Sequence, residues 1–373
     1  MLKSIELLIN LGYSNKDAED ITSSYSLVTL KDETLCKKIH ENFNYLIDLG
    51  YTKDDVIKMT RHFPSLYSYN KETIEEKISF LVSLGYTKAN IIKMTKLVPS
   101  LYSYSKETIE EKISFLISLG YKKPDVIKMT KLLPSLYNYS KENIKEKISF
   151  LISLGYTRPD IIKMTKVFPS LYALSKENIN EKIEFLISLG YARPDIIKMT
   201  KLLPTLYGLS KKTIEEKISF LVSLGYTGAD VIKMTKLLPT LYGYSKETIE
   251  DKIEFLISLG YTKADVIKMT KLLPALYGLS KENIKDKIRY LRDIGLENVV
   301  INDTRKLMQS LLLTYARYEF LTKEKDIIID ESNYSKLFYG ETQFKKQYGV
   351  SKNMLLKKYN YKDYKKNNNL KNV

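Results

Sequence analysis

The sequence predicts an all-α protein: an α-solenoid or superhelix of about nine 35-residue units, each of two helices and a short 3₁₀ turn, with a basic C-terminal tail. Three observations predict it. Gly50, Gly85, Gly120, Gly155, Gly190, Gly225, Gly260 and Gly295 recur at a step of 35 residues. Pro64, Pro99, Pro134, Pro169, Pro204, Pro239 and Pro274 keep the same step. Between these marks the apolar residues follow a helical period. One such unit cannot bury its apolar stripes alone, so neighbours must stack.

Each unit parses in the same order, here over residues 70–99. Lys71-Glu72-Thr73 opens a first helix with an acid in its first turn, where the helix dipole favours it. In most units a Ser such as Ser105 or Ser140 precedes it as N-cap. Ile74, Ile78, Leu81 and Leu84 form its buried stripe, and Gly85 ends it in a left-handed C-cap. Thr87 caps a second helix, whose first turn tolerates Pro124, Pro159 and Pro194 in other units. Ile91, Met94, Thr95 and Val98 form its inward face, and Pro99 stops it. Residues 99–104 are too short for a further helix and read as a turn or a 3₁₀ turn. The chain therefore divides into a degenerate N-terminal cap unit (1–49), seven repeats (50–294), a degenerate C-terminal cap unit (295–330) and a Lys/Tyr/Asn-rich tail (331–373).

Composition excludes several classes. A single cysteine, Cys36, leaves no disulfide scaffold or thiolate zinc site. Two histidines, His40 and His62, stand in different units with nothing repeating around them. No apolar run is long enough to span a membrane. There is no P-loop, no GxGxxG after a strand, no GxSxG and no HExxH. The expectation is no enzyme, no cofactor and no metal. Met1 to Tyr13 reads straight into the array without a targeting segment, so the expected compartment is a cytoplasm, bacterial or viral-host.

Charge carries the functional signal. The net charge is +16. With the unit glycine as position 1, position 9 is Lys58, Lys93, Lys128, Lys163, Lys198, Lys233 and Lys268. Position 12 is Arg61, Lys96, Lys131, Lys166, Lys201, Lys236 and Lys271. The i, i+3 spacing puts both on one side of the second helix. Stacking makes a ladder of cations, while acids such as Glu72, Glu75 and Glu76 gather on the first helix. Residues 341–373 hold nine Lys, among them Lys357 and Lys358, against Glu341 and Asp363, and read as a mobile basic arm. Lysines aligned on a regular phosphate row gain affinity by counterion release. The competing reading is plain: soluble helices carry solvent-facing Lys, and repeated units repeat them.

Positions that differ between units are candidates for base reading. Position 19 runs Ser68, Ser103, Asn138, Ala173, Gly208, Gly243 and Gly278. Only Ser68, Ser103 and Asn138 have polar side chains to offer, so phosphate contact without strong base readout is favoured. Tyr51, Tyr86 and their equivalents follow the unit glycine, and Tyr67, Tyr102 and theirs follow Pro-x-Leu. Anchoring between units is favoured over stacking on splayed bases.

At the LGY…VIKM…LLPxLY pattern a family likeness becomes specific. Leu84-Gly85-Tyr86, Ile91-Ile92, Pro99 and Leu101-Tyr102, with the equivalent residues of the other units, resemble the repeat of the mitochondrial transcription termination factor (mTERF) family over roughly residues 5–325. Thr314 to Leu321 resembles a last family helix. The resemblance implies units of two helices plus a 3₁₀ turn in a left-handed superhelix. It also implies a non-enzymatic nucleic-acid binder that grips duplex DNA along its backbone and regulates transcription, and a monomer is expected. RNA is the alternative nucleic acid, and a protein–protein scaffold the alternative class of function. An organellar setting would also follow from the resemblance.

Overall fold

The computed structural model describes residues 2–361. Its contacts resolve into two compact bodies, residues 1–184 with 203–208, and 185–202 with the chain from 209 onward. Each is an α-solenoid of the same helix–helix–3₁₀ unit.

In the N-terminal body a representative unit runs Lys71–Ser83, Lys88–Leu97 and Pro99–Tyr102, the last a 3₁₀ turn. Most of the stripes expected from periodicity are buried, Ile74, Ile78 and Leu81 on the first helix and Ile91, Met94, Thr95 and Val98 on and just past the second, while Leu84, at the first helix's end, is half-buried. Gly85 ends the first helix at φ +107°, a backbone region that an L side chain avoids. Thr87 accepts the Asn90 N–H while the Asn90 side chain accepts the Thr87 N–H, closing a capping box. The following units repeat these elements as Lys106–Ser118 with Lys123–Leu132, and Lys141–Ser153 with Arg158–Val167. The C-terminal body continues them, for example as Lys211–Ser223, Gly228–Leu237 and Pro239–Gly243.

Two buried polar rows hold the seams between units. The first is built from tyrosine. Tyr121, at position 2, lies 2.5 Å from Thr165 Oγ1 and 2.8 Å from the Tyr172 hydroxyl of the next unit. Thr165 spends its proton on the Ile161 carbonyl. Each hydroxyl has one proton, so the order is fixed: Tyr172 donates to Tyr121, Tyr121 to Thr165, Thr165 to the backbone. Tyr13, Tyr51 and Tyr86 repeat the arrangement in the same body, and Tyr191 and Tyr226 in the other. Burial pushes these phenols above their ordinary range. The tyrosines thus anchor one unit to the next.

The second row is lysine at position 28, which sequence reasoning missed. Lys77, Lys112 and Lys147 are drawn under the next unit's turn, where they donate to the carbonyls of Tyr104, Tyr139 and Leu174. Lys217, Lys252 and Lys287 do so in the other body, to Tyr244, Leu279 and Leu307. Burial lowers their pKa values. Toward the termini, Asn42 takes the place of this lysine and donates to the Tyr69 carbonyl at 2.7 Å. Arg317 takes it at the other end, donating to Leu337 and Tyr339 at 2.9 and 2.6 Å.

The reading of 341–373 as a mobile arm fails for its described part. Tyr334–Phe338 is a 3₁₀ turn, and Glu341–Tyr348 and Lys352–Lys358 are helices. The reason is apolar: Phe344 and Leu355 are buried, and Arg317 lies 4.4 Å from the centre of the Phe344 ring. Periodicity was present in this segment but the lysines masked it. Residues 362–373, with the remaining tail lysines, lie outside the described residues.

Candidate nucleic-acid interface

The candidate interface is the outer face of the second helices. Their inward stripe fixes it: with positions 7, 10 and 11 buried, positions 9 and 12 must turn outward. In the N-terminal body Lys58, Lys93, Lys128 and Lys163 are exposed, and in the C-terminal body Lys198, Lys233 and Lys268. Lys268 donates to the Asn302 side chain at 2.8 Å. Among the described residues no carboxylate lies within ion-pair distance of any position-9 lysine.

Position 12 behaves differently. Arg61 pairs with Asp17 at 2.9 Å, Lys96 with Asp55 at 2.6 Å, and Lys166 with Asp125 at 2.9 Å. In the C-terminal body Lys236 pairs with Asp195 at 2.8 Å and Lys271 with Asp230 at 3.0 Å. Lys201 is also engaged. In each of these lysine pairs the carboxylate is position 6 of the preceding unit, and in most of them it also closes that unit's capping box. Asp55, for instance, accepts from the Thr52 N–H. Burial opposes its ionisation, but Lys96 and the Thr52 cap outweigh this and hold its carboxyl at about 2. Lys166 is the main cause of the lowered pKa of Asp125, and Lys236 of that of Asp195. The expected double ladder therefore divides into an outward row at position 9 and a row at position 12 largely tied across the seams.

One seam departs. Position 6 of the Gly85 unit is Asn90, so the residue equivalent to the carboxylate partners of the other position-12 lysines is here an amide. Lys131 instead lies 5.8 Å from the centre of the Tyr86 ring.

The position-19 residues sit on the turns, and their partners lie within the array. Ser68 and Ser103 donate to the carbonyls of Ser65 and Ser100. Asn138 accepts from the Tyr104 hydroxyl at 2.7 Å. A Cβ on Gly278 would stand 2.9 Å from the Tyr244 hydroxyl, and one on Gly208 2.9 Å from the Phe168 ring. At Gly208 and Gly278 the neighbouring side chain leaves no room for a larger residue, whereas a Cβ on Gly243 would meet nothing within 4 Å. Lys357 is exposed in the last described helix, while Lys358 pairs with Glu324 at 3.0 Å.

The outer face is not purely basic. Position 13 exposes Leu97, Leu132 and Val167 in one body and Leu202, Leu237 and Leu272 in the other, from 37% to 64% accessible. No group of three or more His, Cys, Asp or Glu side chains among the described residues is placed to hold a metal. No described helix is long and apolar enough to cross a membrane. His40 and His62 are exposed and Cys36 is half-buried.

The mTERF family model matches residues 1–83, 67–189 and 172–302. The chain belongs to the mTERF family. This is a family of nucleic-acid-binding helical-repeat proteins that are not enzymes, and the helix–helix–3₁₀ unit described above is the family's repeat. No curated protein matches the chain.

Proposed function

We propose that this mTERF protein binds double-stranded DNA through its sugar–phosphate backbone and in that way regulates transcription. The observation that carries the reading is the position-9 row. One lysine per unit points outward with no carboxylate at ion-pair distance among the described residues, on a chain whose net charge is +16. Amines not tied into an internal ion pair are the ones whose pairing with phosphate most readily releases condensed ions from the polyanion. The neighbouring seam pairs keep the position-12 side chains extended along the same face. The position-19 residues are committed to turn contacts, so the reading assigns sequence discrimination no residue there. Nothing in it requires a partner subunit, and the protein acts as a monomer, in the cytoplasm or in an organelle.

The exposed aliphatic row at position 13 favours a second reading, a scaffold that holds an acidic amphipathic helix of another protein. RNA is a third. Titration with a random 20-base-pair duplex, a single strand and RNA, each at two salt concentrations, ranks them. Changing Lys58, Lys93, Lys128 and Lys163 to Glu is expected to leave helicity intact, weaken duplex binding and flatten its salt dependence. Unchanged affinity in that variant would defeat the assignment.

A further inference from the structure

The seam at Asn90 supports an inference about where on the face a phosphate is held, and it rests on the nucleic-acid reading above. We propose that Lys131 and Asn90 form a phosphodiester-binding site, the one place in the N-terminal body where the position-12 cation is available to a nucleic acid.

Three observations converge. First, the seams before and after it in the same body are closed by ion pairs, Lys96–Asp55 and Lys166–Asp125. A phosphate approaching either meets a carboxylate and must compete with it for the amine. At Lys131 the counterpart is a neutral amide. The Asn90 Oδ1 atom is spent on the Thr87 N–H at 3.3 Å, which turns its NH₂ group away from the cap. The seam thus offers two donors and no anionic acceptor.

Second, charge accumulates here. The Gly120 unit replaces the usual Thr at position 3 with Lys122, so Lys122, Lys123, Lys128 and Lys131 all belong to one unit. Its single second-helix acid, Asp125, is already held by Lys166. Lys93, three residues beyond Asn90 on the same helix face, adds a further exposed amine.

Third, the amine at this seam is held differently. Without a carboxylate to draw it across, Lys131 rests over the Tyr86 ring, a contact it can exchange for a phosphate at small cost.

Converting the seams into one another tests this. Asn90→Asp gives Lys131 the partner its neighbours have. Asp55→Asn removes the partner from Lys96. With a 20-base-pair duplex as probe, Asn90→Asp is expected to lower affinity roughly 5- to 10-fold near 0.1 M salt and to reduce the log–log salt slope by about 0.9, the value of one phosphate contact. Asp55→Asn is expected to steepen the slope by about the same amount. Amine acylation read by mass spectrometry supplies a measure that needs no DNA. Lys131 should label faster than Lys96 and Lys166 in the wild type, and slow to their rate in Asn90→Asp. A wild type that binds duplex while Asn90→Asp changes neither affinity nor slope overturns the site and leaves the broader reading standing. A wild type that binds no nucleic acid overturns both. If Asn90→Asp loses helicity, Lys131→Gln replaces it, with the same slope change expected and an unchanged slope again overturning the site.

Discussion

The seams and the outer face of the array carry polar rows of equal regularity and opposite fate. At the seams, the Tyr–Tyr–Thr chains are buried with each hydroxyl proton assigned an acceptor, and the position-28 lysines, buried or half-buried, donate to backbone carbonyls. On the outer side, position 9 faces water and position 12 reaches across the seam. Both rows repeat every 35 residues, so repetition alone does not tell a group that holds the array from one free to bind. Burial and partner do. A cation becomes available to a ligand only where the fold has left it uncompensated.

The sharpest way to break the comparison is to treat an inner cation as though it were an outer one. Lys147→Met keeps much of the side-chain volume but leaves the Leu174 carbonyl without its donor. Losing a buried charge-assisted hydrogen bond costs about 2–3 kcal/mol. Urea unfolding should show that loss, while the salt slope of DNA binding stays as in the wild type. A large loss of stability from Lys163→Met on the outer row would erase the distinction.

A smaller effect is expected along the tyrosine chain. Tyr121→Phe leaves the Tyr172 hydroxyl without its acceptor and Thr165 without its donor, for about 1–2 kcal/mol. Tyr261 is the internal control. Its hydroxyl is buried without a hydroxyl partner, because the Gly295 unit breaks the register that supplies Thr and Tyr elsewhere. Tyr261→Phe should therefore alter stability by no more than about 0.5 kcal/mol. Equal costs at the two sites would mean that packing, not hydrogen bonding, is what the chain contributes.

Much of this was legible in the residues. The Gly and Pro marks gave the unit, its caps and its buried stripes, and tyrosine at fixed offsets pointed to anchoring. The position-28 lysine was legible too, lying at Lys77 between Ile74 and Ile78 on the apolar stripe, but lysine is read as solvent-facing by default. The position-12 pairs were hidden for a different reason. Asp55 and Lys96 are 41 residues apart, and their meeting depends on the stacking register, which the spacing of one unit does not define. The variation at position 19 looked informative because Gly278 and Asn138 were compared with each other rather than with Tyr244 and Tyr104, the neighbours that decide them.

Acid provides a graded test of the outer seams. A carboxyl held at about 2 in the folded chain, as Asp55 is, against about 3.9 when unfolded, stabilises the fold above pH 4. That contribution fades as pH falls from about 4 toward 2, because the unfolded chain then takes up the proton first. Asp125 and Asp195 are lowered in the same sense. Asp55→Asn should remove part of the acid-induced loss of stability, measured as the change in urea midpoint between pH 6 and pH 3. An unchanged pH dependence would show that the Lys96 pair contributes little in solution.

The smallest expected effect discriminates most finely. Lys163 and Lys166 lie one turn apart on the same helix, one outward and one paired with Asp125 at 2.9 Å. Partly exposed pairs of this kind contribute up to about 1 kcal/mol. Lys166→Ala should therefore lower stability by that amount at most and leave the salt slope of DNA binding unchanged, since its charge is already compensated. Lys163→Ala should leave stability within about 0.5 kcal/mol and reduce the slope by about 0.9. The two outcomes are opposite in sign of information: one variant moves the unfolding midpoint alone, the other the binding slope alone. If both alter the slope equally, the Asp125 pair yields to phosphate, and the position-12 row belongs to the interface after all.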